Sequence, residues 1–246
     1  MEKFIYPLMA DIESQHFWFR GRRDILQNLM RQKVDRREGK LILDAGCGTG
    51  GNLKWLSEFG HVVGLELDEY AASIAVGEAP GCVVRAKFPD KIPFKKKTFD
   101  IITIFDVIEH IENDSETLFC LAEKLKSDGM MLITVPAFPH LWSGHDVAHH
   151  HKRRYLKDQL KGILTGAGLK VEYLSYFNSL LYPAIAVKRI MNRMFSIEDA
   201  IDLKVPPRRL NDVLYKTFSS EKNWIGKIQV PFGVSLIAVA RPTETL

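Results

Sequence analysis

The sequence predicts an α/β domain on a mostly parallel, seven-stranded sheet, with helices on both faces and a helical insertion between the last two strands. Two observations predict it. Apolar runs at 41–44, 62–66, 82–85 and 100–105 alternate with helix-like stretches, the βαβ rhythm of a parallel sheet. The first run also leads straight into a glycine-rich turn, Asp44-Ala-Gly-Cys-Gly-Thr-Gly50, followed by the helix-like Asn52-Leu-Lys-Trp-Leu-Ser57.

That turn reads as a ligand loop. Glycine admits positive φ and lets a ligand approach the main chain, and a helix start behind it presents free N–H groups. The second apolar run, Val62-Val-Gly-Leu-Glu66, ends in an acid about 20 residues on, the spacing of a ribose-binding carboxylate. Gly46, Gly48 and Gly51 also satisfy G-x-G-x-x-G, so a nicotinamide or flavin site is the competing reading. Asp44 separates the two. A carboxylate just before the first glycine repels a pyrophosphate and attracts the ammonium of an amino-acid-like ligand. A ligand with both a ribose and an amino acid is S-adenosylmethionine.

A third signal follows at Ile92-Pro-Phe94 and Thr98-Phe-Asp-Ile-Ile-Thr-Ile-Phe-Asp-Val-Ile-Glu-His110. In this order the three signals resemble the class I S-adenosylmethionine-dependent methyltransferases, whose fold is Rossmann-like, over roughly residues 38–177 plus the last strand. The resemblance implies that Asp44, Ala45, Gly46, Cys47, Gly48 and Gly50 hold the methionine moiety. It implies further that Glu66 binds the ribose, Leu67 lies beside the adenine, and Phe105 and Asp106 line the cofactor. S-adenosylhomocysteine would be the product. One position departs from the pattern, because Phe88 stands where family members often place an acid for the adenine amino group. Phe88 packs on the purine while the backbone bonds it, or Asp90 takes the polar role, or Phe88 is a core residue beside the ligand.

Composition agrees with one soluble domain spanning 1–246. A chain of 246 residues, 46% hydrophobic and 26% charged, can bury one sizeable core. The net charge of +4 suits an anionic substrate or a membrane surface and is too small to indicate nucleic acid. Cys47, Cys82 and Cys120 are too few and too widely spaced for a disulfide framework or a zinc site, and with no signal-like start they point to the cytoplasm.

The remaining elements follow in order. A helix is expected from 13 to about 32, within an N-terminal helical lid at 1–37. Strand five is expected at 130–136 after the Asp128-Gly129 turn, a helix at 156–167 that stops at Gly168, strand six at 170–177 and strand seven at 233–240. Residues 178–232 are left as a helical cap, with a second insertion helix running from Val205-Pro-Pro-Arg-Arg209 to about Trp224.

Three regions outside the cofactor motifs carry candidate chemistry. In Gln15-His-Phe-Trp-Phe-Arg-Gly-Arg-Arg23, the plain reading is a helix burying aromatics and wetting its arginines, and the functional reading puts Phe19 near the sulfonium and Arg20 on the methionine carboxylate. The stretch 135–155 follows strand five at the carboxyl edge, where ligands of open sheets bind. An alcohol or ammonium acceptor must lose a proton, and an imidazole with a pKa of about 6.5 is the natural base. His145 is the candidate base and Asp146 its orienter or alternative, with Trp142, Arg153, Arg154 and Tyr155 holding the substrate. No metal is expected there, since the consecutive His149, His150 and His151 cannot all converge without a special turn. The segment 176–195 is too short and too charged to span a bilayer, and it caps the active site or a second subunit in preference to lying on a membrane surface.

The H-F-W-F and L-W-S-x-H-D stretches also resemble a subgroup of these methyltransferases associated with sugars of surface polysaccharides and glycolipids. The expected function is therefore methyl transfer, to oxygen, on a small-molecule or glycan acceptor. An RNA methyltransferase is the runner-up, through the basic stretches 91–97 and 152–154, but Phe105-Asp-Val-Ile108 replaces the N/D-P-P-Y pattern of amino-methylating nucleic-acid enzymes. A non-catalytic cofactor-binding scaffold partner is the non-enzymatic alternative.

Overall fold

In the computed structural model, which describes residues 5–34, 39–78, 82–90, 92–195 and 204–243, seven strands form one sheet in the order β3-β2-β1-β4-β5-β7-β6. They are β1 Leu41–Ala45, β2 His61–Glu66, β3 Cys82–Arg85, β4 Phe99–Phe105, β5 Leu125–Pro136, β6 Leu169–Phe177 and β7 Ser235–Pro242. Strands β1 to β5 pair in parallel, and β7 runs antiparallel to both β5 and β6. The order reverses between β1 and β4, which opens a crevice at the carboxyl ends of those strands.

The helices are α1 Ile5–Ile12, α2 Phe17–Lys33, α3 Leu53–Leu56, α4 Glu69–Glu78, α5 Asp114–Ala122, α6 Gly144–Ala148, α7 Lys157–Gly166, α8 Tyr182–Met194 and α9 Arg208–Ser219. Side chains of the central strands alternate between two cores. Leu43, Ile102, Ile104, Ile133 and Ala238 pack with α5 and α7 on one face. Ile42, Ile101, Leu132 and Val239 pack with α2, α3 and α9 on the other. On α2 the inward stripe is Arg22, Ile25, Leu26, Leu29 and Met30, and burying each of its aliphatic members contributes roughly 1.5–3 kcal/mol.

Three expectations change. The expected helix from 13 starts four residues late, at Phe17, with α1 as a separate helix before it, because the His16 Nδ1 accepts the Trp18 N–H at 3.2 Å and starts α2 there. An imidazole is an unusual N-cap, so the boundary is invisible to the usual Ser/Thr/Asp/Asn rule. Strand β5 starts five residues early and carries Asp128 and Gly129 within a register shift opposite Phe99 and Ile101, not in a turn before the strand. The insertion also divides, with 196–203 outside the described residues. Helix α9 is core: Phe218 is fully buried, stacks on Phe177 with centroids 6.1 Å apart, and fills the space left by Gly21, where a Cβ would lie 2.6 Å from its ring. Asn211 of α9 accepts the Phe17 N–H and donates to the Gln15 carbonyl, each at 2.9 Å, so α9 clasps the start of α2. Among the described residues of the insertion, α8 lines the crevice through Ala184, Ile185, Lys188 and Arg189, joined by Lys204, Pro206 and, on α9, Leu214. Among the described residues no helix is long and apolar enough to cross a membrane.

Candidate active site

The crevice is a cleft of about 1380 Å³ that runs from the glycine loop past the ends of β4 and β5 to α8. At one end the loop is pinned to β2 by Gly46 and Cys47 N–H groups donating to the Leu65 carbonyl at 2.7 and 3.0 Å. Gly46 has φ of 80° and its missing Cβ is replaced by the Val107 side chain, 2.5 Å from where it would sit, so a side chain here is excluded twice. Glu66 closes the loop from the end of β2, accepting the Gly48 N–H at 2.9 Å and the Leu67 and Asp68 N–H groups at 2.8 Å each. Helix α3 behind it is a single turn.

Asp44 sits beneath the loop, not on the cleft wall. Its Oδ1 accepts the Thr103 hydroxyl at 2.7 Å, and its Oδ2 is buried with no hydrogen-bond partner. Burial raises its pKa to about 6, against the opposing pull of the Thr103 hydrogen bond and the Arg22 charge. Helix α1 lies over this end. Tyr6, Met9 and Glu13 line the cleft, Glu13 accepts the Thr49 hydroxyl at 3.2 Å, and burial followed by the charges of Glu66 and Asp68 pushes the Tyr6 hydroxyl up to about 12.

Of the three arginines of α2's first two turns, Arg22 and Arg23 line the cleft, and Arg22 reaches the end of β4. Arg22 pairs with Asp106 at 2.5 Å, donates to the Thr134 hydroxyl at 3.3 Å and lies over the Trp18 and Phe105 rings at 5.0 and 5.4 Å. Arg20 points the other way, 3.7 Å from Asp212 with its guanidinium 4.0 Å above the Tyr215 ring, and it does not line the cleft. The period of α2 held the missed signal: Arg22 shares a face with Leu26, Leu29 and Met30, whereas Arg20 does not.

At the far end, four imidazoles meet. The ring centroids of His145 and His149 are 4.2 Å apart, those of His145 and His151 6.0 Å, and those of His110 and His151 4.6 Å. His150 supplies the special turn, with φ of 56°, so that His149 and His151 both face the cleft and His150 stays exposed. Burial, then the neighbouring imidazoles, holds His110 down to about 3, His149 to about 4 and His145 well below the usual imidazole range. The His145 Nδ1 is buried without a hydrogen-bond partner.

The methyltransferase-domain family model matches residues 14–174. The chain belongs to that family. S-adenosylmethionine is its cofactor. A Mycolicibacterium smegmatis protein named a probable S-adenosylmethionine-dependent methyltransferase is 25% identical over 164 residues, 65% of this chain and 62% of that protein, so the match spans under two thirds of the relative. Among solved structures, a chain of the complex between the Haloferax volcanii Trm112 methyltransferase activator and a methyltransferase superposes with a TM-score of 0.63 at 17% identity, over 96% of this chain and 93% of that one. An S-adenosylmethionine-dependent methyltransferase from Archaeoglobus fulgidus superposes with a TM-score of 0.57 at 19% identity, over 89% and 94%. Identities this low show the shared fold.

The residues of this methyltransferase fit the cofactor. The orphaned Asp44 carboxylate oxygen supplies negative charge under the loop, and Gly46, Cys47, Gly48, Glu66 and Leu67 line the cleft together. Ala45 and Gly50 shape the loop from behind, Ala45 as a fully buried residue and Gly50 through its N–H to the Cys47 carbonyl at 3.0 Å. Phe19, Phe105 and Asp106 also line the cleft, and Phe88 does so beside Asp90 while packing on the core.

The acceptor half departs from the sequence reading. Asp146 does not orient His145. It is fully buried, accepts the Arg154 Nε and Nη2 at 2.8 and 3.0 Å, caps α6 through the Ser143 N–H at 2.8 Å, and contacts the His151 Nδ1 at 2.8 Å. Arg154, which lines the cleft, is spent on that pair and on the Ala137 carbonyl at 3.0 Å. Tyr155 is core, its hydroxyl donating to Asp114 at 2.7 Å, which Arg153 also holds at 2.9 Å. Trp142 ends the 3-10 turn Pro139–Leu141 and does not line the cleft. Sequence reasoning missed Glu109, His110, His149 and His151 as cleft residues, although Glu109 and His110 directly follow β4 at the carboxyl edge, where the same rule that selected 135–155 applies.

Proposed function

We propose that this methyltransferase transfers the methyl group of S-adenosylmethionine to a hydroxyl oxygen of a small-molecule or glycan acceptor held among His110, His145, His149 and His151. One observation carries the reading: the glycine loop with Glu66 and the four imidazoles open into the same cleft of about 1380 Å³, larger than the roughly 300–1,000 Å³ of a single small-ligand site. When bound, the cofactor supplies an electrophilic sulfonium methyl group. Gly46, Cys47 and Gly48 would hold its methionine part, with Arg22 in place of Arg20 toward the carboxylate, Glu66 the ribose, and Leu67 and Phe88 the adenine. Helix α1 and the first turn of α2 cover that end and exclude water. His145, neutral and with an unpartnered ring nitrogen, takes the hydroxyl proton. Lys188 and Arg189 of α8, with Asn113 and Glu116, line the acceptor side and suit a polyhydroxylated ligand.

Of the two basic stretches invoked for RNA, 152–154 reaches the cleft through Lys152 and Arg154, but Lys152 is paired with Glu112 at 2.9 Å and Arg154 with Asp146 at 2.8 Å, and the described residues of 91–97 lie elsewhere. Lys95, Lys96 and Lys97 do not line the cleft, Lys96 is paired with Glu123 at 2.5 Å, and Lys91 is outside the described residues. Purified protein with methyl-labelled cofactor, offered sugar nucleotides, lipid-linked saccharides, phenols, small amines and RNA, tests the reading. An alkali-stable methyl ether on a hydroxylated acceptor is the expected product, and label confined to amines or RNA would retire it.

A further inference from the structure

We propose that Glu109, His110 and His151 bind one divalent transition-metal cation at the acceptor end of the cleft, and that its open position takes a hydroxyl or vicinal diol of the acceptor. One carboxylate oxygen and one nitrogen from each imidazole all lie within 4.8 Å of one another, and the three residues line the cleft. Two imidazoles and one carboxylate suit zinc, iron(II), cobalt or manganese better than calcium or magnesium, which prefer all-oxygen sets.

Two further observations point to a cation. Glu109 is fully buried, and neither carboxylate oxygen has a hydrogen-bond partner, a costly state that a cation between them and the imidazoles relieves. One ring is also presented as a ligating histidine is. The His151 Nδ1 is engaged by Asp146 at 2.8 Å, which leaves its Nε2 for the ion, and the His110 ring lies edge-on to that of His151 with centroids 4.6 Å apart. The chain reaches this geometry through two local devices, the 3-10 turn Ile108–His110 and the left-handed turn at His150. The consecutive histidines that argued against a metal are thus not the ligand set, since only His151 of the three belongs to it.

A cation here lowers the pKa of a bound hydroxyl, and the released proton passes to His145, whose ring lies 6.0 Å from that of His151. That clause rests on the oxygen-methylation reading, whereas cation binding does not. The test strips the full-length protein with chelator and titrates it with Zn²⁺, Mn²⁺ and Co²⁺ by calorimetry, with the visible spectrum of the Co²⁺ form reporting nitrogen ligation. One cation per chain is expected, with affinity falling at least ~10-fold in Glu109→Gln and in His151→Ala and held in His149→Ala. Cofactor binding by each variant checks that it folds. No stoichiometric binding, or affinity untouched by both substitutions, overturns the site. A methyl ether formed at full rate by stripped protein overturns the cation's role and leaves the proposed function standing. Stoichiometric cation with label only on nitrogen supports the site and overturns the hydroxyl reading.

Discussion

The His151 Nδ1 lies 2.8 Å from the Asp146 Oδ1, and the same carboxylate is gripped from its other side by the Arg154 guanidinium at 2.8 and 3.0 Å. This one buried acid therefore sets the direction of one imidazole in the cleft and closes the loop that carries two more, His145 and His149. Its chemistry is architectural, and that distinction can be measured.

Asp146→Asn leaves the Arg154 charge buried against a neutral amide. Breaking one side of a buried pair costs on the order of 3–5 kcal/mol, so the urea midpoint should drop by that equivalent with the slope unchanged. Wild-type stability with transfer abolished would instead make Asp146 a catalytic group.

Asp44→Asn separates cofactor binding from folding. Its folded pKa of about 6 exceeds the model-peptide 3.8, so its favourable contribution is present while it is protonated, at and below pH about 4, and is lost as pH rises through 6. The groups that face it are Thr103, Arg22, Glu66 and Glu13. At pH 8 the variant without cofactor should be more stable than wild type by up to about 3 kcal/mol, a gain that closes below pH 4. Its affinity for S-adenosylmethionine should fall, and wild-type affinity should weaken as pH drops below 6. Thermal melts and calorimetry across this range decide it, and a pH-independent affinity would dismiss Asp44 as the counter-charge.

His145→Ala should slow the chemical step by roughly 10²–10⁴-fold, the usual contribution of a general base, with the cofactor dissociation constant unchanged. Single-turnover transfer is the measurement. Full activity in the variant would mean that positioning alone carries the reaction.

Arg22→Met should weaken cofactor binding by roughly ten- to a hundred-fold, the value of a charged hydrogen bond, while Arg20→Ala should leave it near wild type. Calorimetry on both variants discriminates them, and the reverse ranking would restore Arg20 to the site.

Strands β1, β2 and β4 were legible because buried parallel strands are short continuous apolar runs, and 41–44, 62–66 and 100–105 stand out as such. The loop from Asp44 to Gly50 and Glu66 was legible because positive φ at Gly46 and Gly48 needs glycine, and an acid at the end of β2 falls at a fixed distance from it. Arg20 and Arg22 were not separable by type, since only the phase of α2 distinguishes them, and that phase depends on an imidazole cap at His16.

Local sequence thus determined the strand positions of the first half, the cofactor loop and the membership of the family, because these follow from residue types at short, fixed spacings. The tertiary structure alone decided which histidines meet. His110 and His151 are 41 residues apart and come together because β4 and β5 are neighbours in the sheet and His150 turns left-handed, while Asp146 goes to Arg154 and His151 because burial leaves it no water. A carboxylate beside a histidine in sequence looks like its partner, but which ring it holds is set by the direction of the chain after the helix, a property no single spacing records.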